Sequence, residues 1–286
     1  MSDTEDPEAL RDAIHDRWER SARGWTARRE WMRAFGMPVS EWMIDAVAPE
    51  PGQDVLELAA GIGDTGLLAA SRLLPGGSLL SSDASEAMLD AARARAQELG
   101  VENVKFRRLE LEWIDLPTAS VDAALCRWGL MFAVDPGAAL TETRRVLRPG
   151  GRLAIAAWDG PEHNPWATIT ASALVTLGHV PPPDPSMPGM FALAAPGRLQ
   201  DLLEGAGFTE VRVDGVDFEA RHDSLEAYIE HARDVSRQFG DTFEALSEDD
   251  RQALRDLIGA RSAPFADGDG VALRFPARSL VAAASS

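Results

Sequence analysis

A chain of 286 residues with a formal charge of -18 has the length for one large α/β domain with room for an insertion, and its charge repels phosphate backbones, which disfavours a nucleic-acid substrate and favours a small neutral, apolar or cationic one. The one cysteine, Cys126, lies in an apolar run and has no partner for an intramolecular disulfide, which suits a buried small hydrophobe in a reducing compartment. The stretch Met1–Glu8 is acidic where a secretory leader would be basic, and no apolar run approaches the roughly 18 residues of a membrane span, so the expectation is a cytoplasmic protein with no membrane span, its oligomeric state left open.

Helical periodicity runs from about Pro7 to Ala34, with Leu10, Ile14, Trp18 and Trp25 on one face, and a second short helix covers Val39–Val47 before the stop Pro49-Glu50-Pro51-Gly52. Compact apolar runs follow at Asp54–Leu58, Ser78–Ser82, Val104–Arg108, Ala123–Arg127 and Arg152–Trp158, separated by helical patterns at Thr65–Leu74, Ser85–Leu99 and Pro136–Leu147. Runs that are apolar throughout suit strands of a parallel sheet covered on both faces. The rhythm breaks at residues 160–195, a proline-rich insertion with a helix near Ala167–Leu177. It resumes with a helix at Pro196–Glu204, a strand at Val211–Ala220, helices near Leu225–Phe239 and Glu248–Ile258, and a last strand at Val271–Ala283. The final two strands lack a short crossover and suit an antiparallel pair closing a sheet edge.

Gly61-Ile62-Gly63-Asp64-Thr65-Gly66 follows the first strand and opens a helix, a spacing that lets backbone approach a ligand while the helix N-terminus presents free amides. A plain glycine turn from strand to helix fits the same residues. Asp83 ends the second strand, where an acid accepts the ribose hydroxyls of an adenosine ligand or, alternatively, caps the following helix. Glu57, just before the loop, is placed to meet an ammonium group and is out of place beside a pyrophosphate. It favours S-adenosylmethionine over a nicotinamide dinucleotide.

Four segments in order, Val55–Gly63, Ser82–Leu89, Leu111–Pro117 and Leu147–Leu153, together with Leu202–Phe208 before the sixth strand, resemble the successive motifs of class I S-adenosylmethionine-dependent methyltransferases, most nearly the ubiquinone and menaquinone biosynthesis group. The resemblance implies a Rossmann-like seven-stranded sheet, order 3-2-1-4-5-7-6 with the last strand antiparallel, between helices. It further implies a helical lid over residues 1–50, a methyltransferase domain over 51–286 and a substrate-side insertion over 160–195. Carried over residue by residue, it gives Glu57, Ala59, Gly61 and Gly63 the methionine end of the cofactor and Asp83 the ribose. Ala84 and Met88 flank the adenine, with Glu112 and Trp113 on its other edge. Ala59 stands where the family usually has glycine, and Glu112 where it usually has aspartate.

Arg127 and Trp128 follow the fourth strand, where the related enzymes place residues beside the transferable methyl; pairing of Arg127 with a carboxylate and packing of Trp128 compete equally with that role. Trp25 and Trp31 are the lid candidates, with Gly24 expected to interrupt the helix beside them, while Trp18 and Trp42 read as core packing. His163, just past the fifth strand, is the candidate catalytic base, against the alternative of a surface histidine. Tyr228 and His231 share a helix face and read as packing. No histidine or cysteine spacing suits a metal. The functional expectation is methyl transfer to a small, apolar or aromatic acceptor, with a nicotinamide-dependent oxidoreductase and a non-catalytic S-adenosylmethionine-binding protein as alternatives.

Overall fold

The computed structural model describes residues 6–268 and 270–286; of the expected lid segment, residues 1–5 lie outside the described residues. Seven strands, β1 (Asp54–Glu57), β2 (Ser78–Asp83), β3 (Val104–Arg108), β4 (Val121–Arg127), β5 (Leu147–Trp158), β6 (Thr209–His222) and β7 (Leu273–Ser285), form one sheet in the order β3-β2-β1-β4-β5-β7-β6. The five strands from β3 to β5 are mutually parallel, and β7 runs antiparallel to both its neighbours. The expected closing pair is therefore present, with β7 inserted beside β5 and β6 at the edge. That edge carries Arg212, Asp214, Asp217, Glu219 and Arg221, charges that discourage pairing with another chain.

Burial accounts for the parallel half. Val55 and Leu56 of β1 and Ala124 and Leu125 of β4 are fully enclosed because helices cover both sheet faces: α3 (Asp64–Ala70), α4 (Glu86–Leu99) and α5 (Pro136–Val146) among them. Chain order reverses between β1 and β4, and this leaves a crevice at the carboxyl ends of those strands. Beyond β5 come α6 (Pro165–Thr176), α7 (Arg198–Gly205), α8 (Leu225–Val235), α9 (Arg237–Ala245) and α10 (Glu248–Ser262). The helix expected over Leu225–Phe239 is thus two, divided at Ser236, whose side chain caps α9 by accepting from the Phe239 amide.

The N-terminal segment departs most from the sequence pattern. Helix α1 (Pro7–Ala27) ends at Arg28, and α2 (Arg29–Val47) runs unbroken through Pro38. Tertiary burial outweighs the proline: Phe35, Val39, Met43, Ile44 and Val47 of α2 all enter the core. Gly24 does not interrupt α1. A Cβ there would stand 1.7 Å from the Asp234 carbonyl oxygen, so the glycine lets α1 lie directly on the backbone of α8.

A buried imidazole pair sits beneath this junction. His222 and His231 are each about 5% exposed or less, and Trp31 stacks on His222 at 5.1 Å and meets His231 at a tilt at 3.9 Å, centroid to centroid. Burial pushes their pKa values down to about 4 and about 3, with Arg28 adding to both. Unfolded imidazoles titrate near 6.5. Between these values the unfolded chain binds more protons than the folded one, so this pair withdraws stability as pH falls from about 6.5 toward 4. Buried carboxylates whose pKa is raised act in the opposite sense, so a difference isolates the effect. Between pH 6 and pH 5, wild type is expected to lose about 1.2 kcal/mol relative to His231→Leu, measured by urea unfolding at each pH. A constant difference would show that His231 does not titrate this way.

Candidate active site

The crevice is walled by the turn after β1, the ends of β2 and β4, the segment after β3, and one face of α1. Glu57 is the last residue of β1 and is 2% exposed. Its Oε1 accepts from the Gly66 amide at 2.6 Å and its Oε2 from the Ser81 hydroxyl at 2.9 Å. Burial nevertheless pushes its carboxyl up to about 7. Gly66 has no side chain because a Cβ would lie 2.2 Å from Glu57 Oε2.

The loop then takes left-handed conformations at Ala59 (φ 48°), Gly61 (φ 55°) and Gly63 (φ 87°). At Ala59 an L-residue in this region costs roughly 1–2 kcal/mol. The structure accommodates the departure from glycine with another glycine: a Cβ on Gly129 would be 2.3 Å from the Ala59 methyl. Ala59 and Gly61 line the crevice, whereas Gly63 faces Ala92 of α4.

Asp83 closes β2 with its carboxylate accepting from the Gly61 amide at 2.8 Å and the Ser85 amide at 2.9 Å. Burial pushes it up to about 6, against the lowering effect of those amides. The N-cap of α4 is Ser85, which accepts from the Met88 amide, so Asp83 remains facing the crevice. Ala84 and Met88 line it next to Asp83.

Arg127 ends β4 and lines the crevice with its guanidinium over the Trp128 ring at 4.7 Å and 3.6 Å from Asp64 Oδ2. The carboxylate pairing considered for it is therefore present. Its Nη1 is buried without a hydrogen-bond partner, and Gly36 of α2 makes the space, since a Cβ there would lie 1.8 Å away. Burial lowers the Arg127 pKa. Trp128 holds φ at 57°, an uncommon conformation for a bulky residue. Its amide donates to Ala156 O, its indole N–H donates to Ser279 Oγ at 3.0 Å, and it stacks on Trp158 at 4.2 Å.

Besides Gly63, two of the sequence candidates, Trp113 and His163, lie outside the crevice lining. Glu112 lines the crevice, but its oxygens accept from Arg11 at 3.0 Å and from the Asp135 amide at 2.7 Å. Trp113 is 76% exposed and outside the crevice lining. His163 also lies outside it: Asn164, fully buried and bonded to Arg278 of β7 and to Asp159, pins the chain after β5 and leaves the His163 ring half exposed, 3.2 Å from Asp159.

What sequence reasoning missed is mostly on α1. Arg11, Ile14, His15 and Trp18, the last read as core packing, line the crevice beside the lid candidate Trp25, while Trp31 turns to the histidine pair. Trp18 meets Phe132 and Trp25 edge-on, at 5.0 and 5.6 Å. Glu19 accepts from the Ser85 hydroxyl at 2.7 Å and the Ala87 amide at 3.2 Å, joining α1 to the N-terminus of α4. The helical spacing of these residues was the available signal. Glu19→Ala is expected to cost about 1 kcal/mol, as loss of a cap does, and to expose α1 to limited proteolysis while speeding cofactor release several-fold. Unchanged cleavage and release would remove Glu19 as the tether.

A turn between β1 and α3 flanked by buried acids at the ends of β1 and β2, opening on a crevice at the sheet's switch point, is the arrangement of a class I S-adenosylmethionine-dependent methyltransferase, and the chain belongs to that family. Residues 49–179 match the family model of a methyltransferase domain. The chain is 31% identical to the nocamycin O-methyltransferase of Saccharothrix syringae over 207 residues, 68% of this chain and 73% of that protein. It is 37% identical to the ubiquinone/menaquinone biosynthesis C-methyltransferase UbiE of Acidiphilium cryptum over 128 residues, 44% of this chain and 47% of that protein, about half its length. The fold is similar to that of the YcgJ protein from Bacillus subtilis, with a TM-score of 0.56 and 19% identity over 86% of this chain and 97% of that one. The nicotinamide alternative falls with this assignment, and the cofactor is S-adenosylmethionine.

Among the described residues no group of three or more candidate ligands could hold a metal ion, and no helix is long and apolar enough to cross a membrane.

Proposed function

We propose that the protein transfers a methyl group to a small apolar or aromatic acceptor. The observation that carries this reading is the apolar part of the crevice wall: Ile14, Trp18, Trp25, Phe132 and Val134 present an apolar, largely aromatic surface to the same crevice that holds Asp83 and Glu57. The O- and C-methyltransferase relatives support an oxygen or carbon acceptor, and the charge of -18 argues against a nucleic acid.

The residues suit the cofactor. Asp83 would accept the ribose hydroxyls, Glu57 would face the ammonium group, and Ala84 and Met88 would flank the adenine. S-adenosylmethionine supplies a methyl group on a cationic sulfur. Arg127 and Trp128 would line the junction with the acceptor, their positions set by Asp64, Gly36 and Ser279. The aromatic wall orients the acceptor and excludes water, and positioning of this kind is the main source of rate in such a transfer. Helix α1, covering the crevice, serves as the lid; the division into a lid over 1–50 and a domain over 51–286 belongs to this reading, as does a cytoplasmic location.

The test is incubation of the purified protein with S-adenosylmethionine and a panel of phenols, quinols, enols and aromatic amines, followed by mass spectrometry. The expected product is an acceptor one methylene heavier, formed in step with S-adenosylhomocysteine. Cofactor binding without turnover on the panel or on a metabolite extract would favour the non-catalytic binding protein instead.

A further inference from the structure

Glu57 and Asp64 are two buried acids, on β1 and in the first turn of α3, that share a single guanidinium, Arg127 of β4. Arg127 reaches Asp64 at 3.6 Å. Glu57 is satisfied only by neutral donors, the Gly66 amide and the Ser81 hydroxyl. Beyond Arg127, the surrounding elements bring no cation to it among the described residues. Strand β2 contributes Asp83 to the same crevice, while the Cys126 thiol of β4, outside the crevice lining, is buried and pushed up to about 12. Glu30 and Arg33 of α2 and Arg95 of α4 act on Asp64. Arg127 is thus drawn to Asp64, and the Glu57 carboxyl has no ion-pair partner of its own among the described residues.

Ser81 suits either protonation state of its neighbour, since a hydroxyl both donates and accepts, whereas the Gly66 amide only donates. A proton on Glu57 thus belongs on Oε2, donated to Ser81 Oγ. Resting on the placement of the methionine end at Glu57 given above, we infer that Glu57 carries this proton while no ligand cation faces it, and passes it to solvent when the ammonium group of the cofactor docks. Cofactor loading is then proton-coupled: the carboxyl O–H bond breaks, the proton goes to buffer, and the carboxylate pairs with the ammonium. Because S-adenosylhomocysteine bears the same ammonium group, substrate and product forms of the cofactor respond alike, and pH sets total loading rather than the balance between them. The elevated carboxyl, about 7, puts the coupling in the neutral range.

Calorimetric titration of the full chain with S-adenosylhomocysteine in phosphate and in imidazole, which differ in ionisation enthalpy, reads the proton directly. The expected release from Glu57 is about 0.8 proton per site at pH 6.5 and about 0.2 at pH 7.5, with affinity about threefold higher at pH 7.5. Glu57→Gln is expected to bind with that release and that pH dependence gone. An infrared difference spectrum of the wild type, in which a protonated-carboxyl band disappears on adding the ligand, decides the matter without any variant. Equal heats in both buffers with no loss of that band would overturn the coupling, as would undiminished release in Glu57→Gln. Absence of binding at every pH would instead overturn the placement of the cofactor, and the coupling with it.

Discussion

Asp83→Ala is expected to weaken S-adenosylmethionine binding on the order of a hundredfold, close to 3 kcal/mol. Two contributions combine. On the proposed placement the variant lacks the acceptor for two ribose hydroxyls, and each hydrogen bond to a charged group contributes about 1.5–3 kcal/mol. It also orphans the amides of Gly61 and Ser85, so the loop that must meet the methionine end loses its tie to β2. Asp83→Asn keeps the shape and one oxygen and is expected to recover part of the affinity. Calorimetry checks both, alongside thermal melts that confirm folding. An alanine variant binding within about threefold of wild type would remove the ribose role.

The largest expected effect on stability is at Trp128. Trp128→Ala is expected to cost about 3–5 kcal/mol, the range for emptying a buried indole site. The ring is 7% exposed, stacked between the Arg127 guanidinium and Trp158, and bonded to Ser279 on the antiparallel strand β7. Alanine keeps the left-handed backbone, with its strain, and loses the contacts that stabilise it. Trp128→Phe retains most of the packing and loses the N–H bond, so a cost of about 1–2 kcal/mol is expected. Urea unfolding distinguishes the two, and an alanine variant within about 1 kcal/mol of wild type would contradict the packing described.

The sheet and the cofactor loop were legible because both are local. Runs such as Asp54–Leu58 and Ala123–Arg127 read as buried strands from their own composition, and Gly61, Gly63 and Asp83 lie within one strand, turn, helix and strand unit. Ala59 could be noticed as a departure from glycine, but its compatibility depends on Gly129, which faces it from the turn after β4. Which of the two readings of His163 the chain adopts depends on distant partners in a similar way. Proximity to the end of β5 suggested the crevice, yet Asn164 and Arg278 turn that segment onto β7 and away from it.

By itself the amino-acid sequence determined the seven alternating strands and their flanking helices, the cofactor loop with its two acids, and the family. Periodicity and short-range spacing encode these, since each depends on residues a few positions apart. Only the tertiary structure decided which face of α1 covers the crevice, that Gly24 is a contact and not a break, that Glu112 is tied to Arg11, and that Arg127 is shared between two acids. Those outcomes depend on partners far apart in the chain, as in Glu19 with Ser85 or Trp25 with Val235, and the docking that joins them is a sum over many weak contacts that no local pattern contains.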